Sequence, residues 1–160
     1  MEGVMVPNDE LNEQIHHITE LSNVLRHLLK DRAICDSKTC CNLFSNYMKT
    51  IENHIDAVDK QVYGDMLSSQ DTHISNVARN FMAGSVMVKK ILRDFSRLWC
   101  ADKNHSAFKI HSYARFIEDT DKLFEIVLQR VLYETEHLYP LVRQLSMASP
   151  GQSATASPLH

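Results

Sequence analysis

The chain has 160 residues, 44% hydrophobic and 23% charged, with a net charge of −3 and only 4 glycines and 4 prolines. That length suits one domain with a single buried core, and so few turn-formers favour a few long helices over many short strands. Neither charge sign gathers into a block, which speaks against a nucleic-acid binder, and no apolar run approaches the ~20 residues of a membrane span.

The N-terminal stretch MEGVMVPNDELNEQ has neither the basic segment nor the apolar core of a signal peptide, so the predicted location is the cytoplasm. A first helix is predicted from Asn8 or Asp9, just after Pro7, to about Asp31, with Leu11, Ile15, Ile18, Leu21, Leu25, Leu28 and Leu29 as its apolar stripe. Ser37 is positioned to cap a second helix that carries Phe44, Tyr47, Ile51, His54, Val58 and Val62 and closes near Gly64 or Ser68. Asp71 or Thr72 caps a third, with Ile74, Val77, Phe81, Val88, Leu92, Phe95 and Trp99 in line. After the break ADKNHS, a last helical region is predicted over about residues 106–146, bent or interrupted early and again around Pro140. Short connections turn four long helices back on one another, so the predicted fold is all-α, an up-down-up-down antiparallel four-helix bundle over residues 1–147. The segment from residue 148 to 160 is small, polar and proline-bearing, and reads as a disordered tail.

Each apolar stripe is interrupted by something foreign to a hydrocarbon core. Ser22 falls on the first, His54 on the second, Ser85 beside Gly84 on the third, and Arg130 with Glu134 on the fourth. Inward polar positions, one per helix, are how helical bundles build metal or cofactor sites. The chain also repeats itself. HIDAVDKQVYG from His54 returns as RVLYETEHLYP from Arg130, with an acid at the fourth or fifth following position (Asp59, Glu134), then an aliphatic (Val62, Leu138) and a tyrosine (Tyr63, Tyr139). SNVLRHLL from Ser22 likewise matches SVMVKKIL from Ser85, so the whole reads as two helical hairpins related by a pseudo-twofold.

Together with HLYPLV, His137 to Val142, this arrangement resembles the hemerythrin-like, or HHE cation-binding, domain over about residues 10–145. In that family the first helix of each hairpin supplies a histidine and the second supplies His-x-x-x-Glu; the resemblance implies a non-haem di-iron centre that binds or senses oxygen. Carried onto this chain, the first histidine falls on Ser22, the second on His54, the third near Ser85 and the fourth on Arg130. Of the glutamates, one position is Val58, with Asp59 following, and the other is Glu134. Serine and valine do not replace iron donors. Without a cation Glu134 would be a buried, unpaired carboxylate, and Arg130 one turn earlier offers the missing charge, with His54 able to add a hydrogen bond. The cofactor reading is therefore none, with a divergent iron site on His54, Asp59 and Glu134 as the alternative.

His16, His17, His27, His73, His105, His111 and His137 lack i, i+4 pairing with one another and read as solvated surface. Glu118, Asp119 and Asp121 form a charged outer face, or a site completed by His111. Cys35, Cys40 and Cys41 in the first connection and Cys100 at the end of the third helix fall at one end of the predicted bundle; they are redox thiols if loops expose them, or small packing residues if not. No nucleophile with a base and no phosphate-cradling glycine loop is present, so the chain does not read as an enzyme. The predicted function is a non-catalytic regulatory or protein-interaction module that uses its outer surface. Bacterial anti-sigma regulators, helical bundles of similar size, offer a fold-level analogy. The alternative is a sensor of oxygen, nitric oxide or redox state. The partner is a protein of unspecified identity, and a homo-oligomer stays open.

Overall fold

The computed structural model describes residues 7–101 and 107–145, and among these the chain is all-α. Four helices exceed twenty residues: α1, Pro7–Leu28; α3, Lys38–Gln61; α5, Thr72–Trp99; and α6, Tyr113–Tyr133. Two short ones that periodicity did not announce, α2 (Arg32–Cys35) and α4 (Tyr63–Leu67), fill the turns after α1 and α3. After α6 the helix widens into a π segment, Glu134–Leu138, and continues as α-helix over 139–145. The predicted tail, 148–160, lies outside the described residues, as does His105. Among the described residues no helix is long and apolar enough to cross a membrane.

The helix starts obey local chemistry. Ser37 is extended at φ −75°, ψ 145°, and its hydroxyl accepts from the Cys40 amide at 3.1 Å while donating to the Ile34 carbonyl at 2.7 Å. Asp71 accepts from the His73 amide, and Ser112 from the Arg115 amide. The last helix therefore begins at Tyr113 and not near residue 106. The segment before it is held extended: Ala101 donates to the Ala107 carbonyl and Lys109 to the Trp99 carbonyl, both at 2.8 Å. This short bridge seats the Phe108 ring between Phe44 and Phe116, at 5.3 and 5.0 Å.

Cross-helix contacts set the directions. Gln14 meets His54 and Ser22 meets Tyr47, so α1 and α3 run antiparallel. Lys89 meets Asp56 and Ser96 meets Met48, which sets α5 against α3. Trp99 meets Asp119 and Ser85 meets Arg130, which sets α6 against α5. The apolar interior divides into two clusters. One holds Ile18, Ile51, Ile55, Phe44, Val88, Phe116, Phe124 and Val131, and the other holds Leu11, Val58, Phe81, Tyr63, Leu138 and Tyr139. Along each long helix the change from one cluster to the other comes within a few residues of a polar side chain: Gln14 on α1, His54 on α3, Ser85 on α5, and Glu134, with Arg130 one turn before it, at the end of α6.

Replacing Ser37 with alanine removes both hydroxyl bonds at the start of α3. The Ser37→Ala variant is expected to lose about 1 kcal/mol of unfolding free energy, read as a lower urea midpoint with an unchanged slope.

Candidate functional site

At the boundary between the clusters stands Glu134, fully buried. Its Oε1 accepts from His54 Nε2 at 2.7 Å and from the Tyr139 hydroxyl at 3.1 Å, and its Oε2 accepts from Arg130 Nε at 3.1 Å. Arg130 Nη2 donates to Ser85 Oγ at 2.7 Å and to the Tyr63 hydroxyl at 3.2 Å. Ser85 in turn donates to the Phe81 carbonyl, and the Phe81 ring lies 4.8 Å below the guanidinium carbon. His54 Nδ1 lies 2.6 Å from Gln14 Oε1. Facing a carboxylate, Nε2 is the donor there, whereas the Gln14 amide has an end that accepts and an end that donates.

The backbone arranges much of this. In an α-helix residues five apart point about 140° apart, so Glu134 and Tyr139 would diverge. The π segment brings them onto one side: the Tyr139 amide bonds the Glu134 carbonyl and its hydroxyl bonds the Glu134 carboxylate. Pro140 supplies a cause for the widening, since it has no amide for the carbonyl of residue 136 and its ring would collide with that carbonyl in a regular helix. On α5, Gly84 leaves room for the guanidinium: a Cβ there would lie 2.6 Å from Arg130 Nη1. Desolvation pushes the Tyr63 hydroxyl up to about 12, against the pull of Arg130, and Tyr139 is raised further, by burial and then by the Glu134 carboxylate. Both tyrosines therefore act as neutral hydroxyls at physiological pH.

Of the residues singled out in the sequence, the structure gathers His54, Ser85, Arg130 and Glu134. It does not gather the others. Ser22 is buried eight residues, about 12 Å of helix, from the α1 position that reaches the network, and pairs with the Tyr47 hydroxyl at 2.7 Å. Gln14 takes the place on α1 that the pseudo-twofold had assigned to Ser22, because α1 packs on α3 with residue 14 beside 54 and 22 beside 47. Val58 is buried within the second apolar cluster. Asp59 is an exposed residue on the rim; partial desolvation of its carboxyl raises it above the usual carboxylate value, opposed by Lys89 and Arg130. The reading missed Gln14, Tyr63, Tyr139 and Phe81. The two tyrosines had a signal, as each closes one copy of the repeated motif.

The donors fit iron poorly. Ser22 and Val58 offer it nothing, Arg130 places a cation in the middle, and every oxygen of Glu134 already accepts from the protein. Among the described residues no group of three or more His, Cys, Asp or Glu side chains is arranged to hold a metal ion. The acidic cluster on α6 is dispersed as well: Asp119 accepts from Trp99 Nε1 at 2.8 Å, Asp121 pairs with Arg26, Glu118 is exposed, and His111 stacks on Trp99 at 4.4 Å. His16, His17, His27, His73 and His137 are exposed.

The cysteines do lie near one another, around Phe108, but the exposure that redox chemistry requires is missing. Cys35, Cys40, Cys41 and Cys100 are all buried, and burial pushes Cys35 and Cys40 up to about 11. α2 accounts for this burial, folding the first connection down so that Cys35 Sγ donates to the Leu29 carbonyl at 3.3 Å.

Three outcomes follow from this geometry. Arg130→Met leaves the buried carboxylate without its cation and is expected to cost about 3–5 kcal/mol by urea unfolding. Gly84→Ala is expected to destabilise the natural chain by pushing out Nη1, yet to stabilise the Arg130→Met chain by up to about 1 kcal/mol through helix propensity, a reversal of sign that a double-mutant cycle reads directly. For the thiols, the unfolded chain ionises near pH 9 while Cys35 and Cys40 stay protonated to about 11 in the fold. The unfolded state then binds fewer protons, so stability is expected to be full below pH 9 and to fall between pH 9 and 11, less steeply in Cys35→Ala/Cys40→Ala.

No family model, curated protein or solved structure matches the chain, so the functional reading rests on its own residues and their geometry.

Proposed function

We propose that this chain is a non-catalytic regulatory module that recognises a protein partner through its outer surface, on a hemerythrin-like bundle that has exchanged its metal for a side-chain network. The antiparallel pairs α1/α3, α3/α5 and α5/α6 support an up-down-up-down arrangement of the four long helices, with α2 and α4 as elaborated turns. One observation carries the reading: the Arg130 guanidinium occupies the interior position between Ser85 and Glu134, where the family resemblance calls for a cation between helices. A fixed charge in that place stabilises the fold but has no open coordination position and no exchangeable ligand. Chemistry is thereby withdrawn from the core, and the outer surface is left to act.

That surface is uneven. Among the described residues nine large apolar side chains are exposed, and seven of them lie on α5 and α6, among them Val86 at 69% and Leu132 at 54%. Apolar side chains concentrated in this way mark interaction surfaces. The cytoplasm is the compartment in which such a module is expected to work.

Affinity capture from the native cell tests the reading. The natural chain is expected to retain a partner that Val86→Asp and Leu132→Asp lose at unchanged thermal stability. Stoichiometric iron in aerobically purified protein, with ligand-to-metal absorption bands lost in Glu134→Gln, would replace this reading with the iron-sensor alternative.

A further inference from the structure

A cavity of about 440 Å3 opens between α5 and α6. Phe81, Met87, Val88, Ile126 and Tyr133 give it apolar walls, and Arg130 lines it beneath Gly84. The guanidinium has five N–H groups. The one on Nε is taken by Glu134, and those on Nη2 serve Ser85 and Tyr63. Nη1, with two, has no hydrogen-bond partner among the described residues. It lies over Gly84, within 2.6 Å of where a Cβ would stand, and both residues line the cavity. The Arg130 side chain is only 12% exposed. Two donors of a largely desolvated cation are thus left for something that enters through the cavity, and buried donors of this kind ordinarily find an acceptor.

Size and polarity narrow the occupant. Small-molecule sites enclose about 300–1,000 Å3, with mostly apolar walls and a few fixed polar groups that orient the ligand. A carboxylate is the best acceptor for a guanidinium, through charge-assisted bonds, and an apolar body suits the remaining walls. Nη1 lies against α5 over Gly84, so a slim head group approaches it from the cavity side more readily than the backbone of a docked helix does. We propose that the cavity between α5 and α6 binds a small amphipathic monocarboxylate, its head accepting from Arg130 Nη1 and its apolar chain lying along Phe81, Met87, Ile126 and Tyr133. The ligand shares Arg130 with Glu134, so occupancy of the cavity is felt in the network that joins α3, α5 and the π segment. This goes beyond the regulatory reading and does not depend on which protein is the partner.

Calorimetric titration of the full chain with decanoate, 1-decanol and decylammonium, each kept below its aggregation range, tests the proposal. Decanoate is expected to bind at least tenfold tighter than decanol, and decylammonium not measurably. Binding of decanoate should shift the Arg130 side-chain resonance in a 15N spectrum. Gly84→Ala is expected to abolish binding by displacing Nη1 from the cavity wall. Because that change also strains the core, Met87→Asp, at a residue 63% exposed, serves as the second variant and should weaken decanoate at least tenfold with the fold intact. Equal affinity for the three probes, no binding of decanoate at millimolar concentration, or indifference to both variants would overturn the proposal. So would tight binding of an acidic amphipathic peptide in the same groove without binding of decanoate, an outcome that leaves the regulatory reading standing.

Discussion

A carboxylate with no access to water governs the interior of this protein. An ionised, unpaired carboxylate in so apolar a place would cost several kcal/mol, enough to threaten a fold whose net stability is only about 5–15 kcal/mol. Glu134 is tolerable because it accepts bonds from α3, from its own helix one turn back, and from Tyr139 five residues on. Each donor is held in turn: His54 by Gln14, Arg130 by Ser85 and Tyr63. The long helices all contribute, and the two apolar clusters lie on either side of the layer so formed. Networks of this kind stabilise to the extent that their members are satisfied, which makes the layer sensitive to any one substitution.

Two backbone features make that satisfaction geometrically available. The π segment turns Tyr139 onto the side of Glu134, and Gly84 lets α5 approach α6 closely enough for Ser85 to receive the guanidinium. Neither is a device of stability by itself: a π turn has poorer hydrogen-bond geometry than an α turn, and a mid-helix glycine costs about 1 kcal/mol relative to alanine. Their cost is offset by the bonds they permit to one buried charge pair.

The same features give the molecule its asymmetry. On the side of α1 and α3 the core is closed by close helix packing, and the first connection folds over its thiols. On the side of α5 and α6 a cavity reaches the charged layer at Arg130, and the neighbouring helix surfaces carry most of the exposed apolar side chains among the described residues. A structural network and an outward-facing surface thus meet at Arg130. That junction gives a physical route by which events at the surface could be coupled to the layer that holds the helices together.

Local chemistry was legible in the amino-acid order. Ser37 and Asp71 cap the helices they were expected to cap, the apolar stripes lie inward, and Arg130 stands one turn from Glu134 as i, i+4 spacing requires. Those features depend on neighbours within a few residues, where helical periodicity leaves little choice. The rest depended on how one helix slides along another. Register between α1 and α3 put Gln14 beside His54 and left Ser22 with Tyr47, although the internal repeat pointed to the serine; no local rule reports that offset, because it is set by the summed packing of two apolar faces. The π turn at Glu134, the burial of the cysteines under α2, and the seating of the Arg130 guanidinium over Gly84 were likewise decided only when the helices met, since each is a property of the gap between elements and not of any one element's sequence.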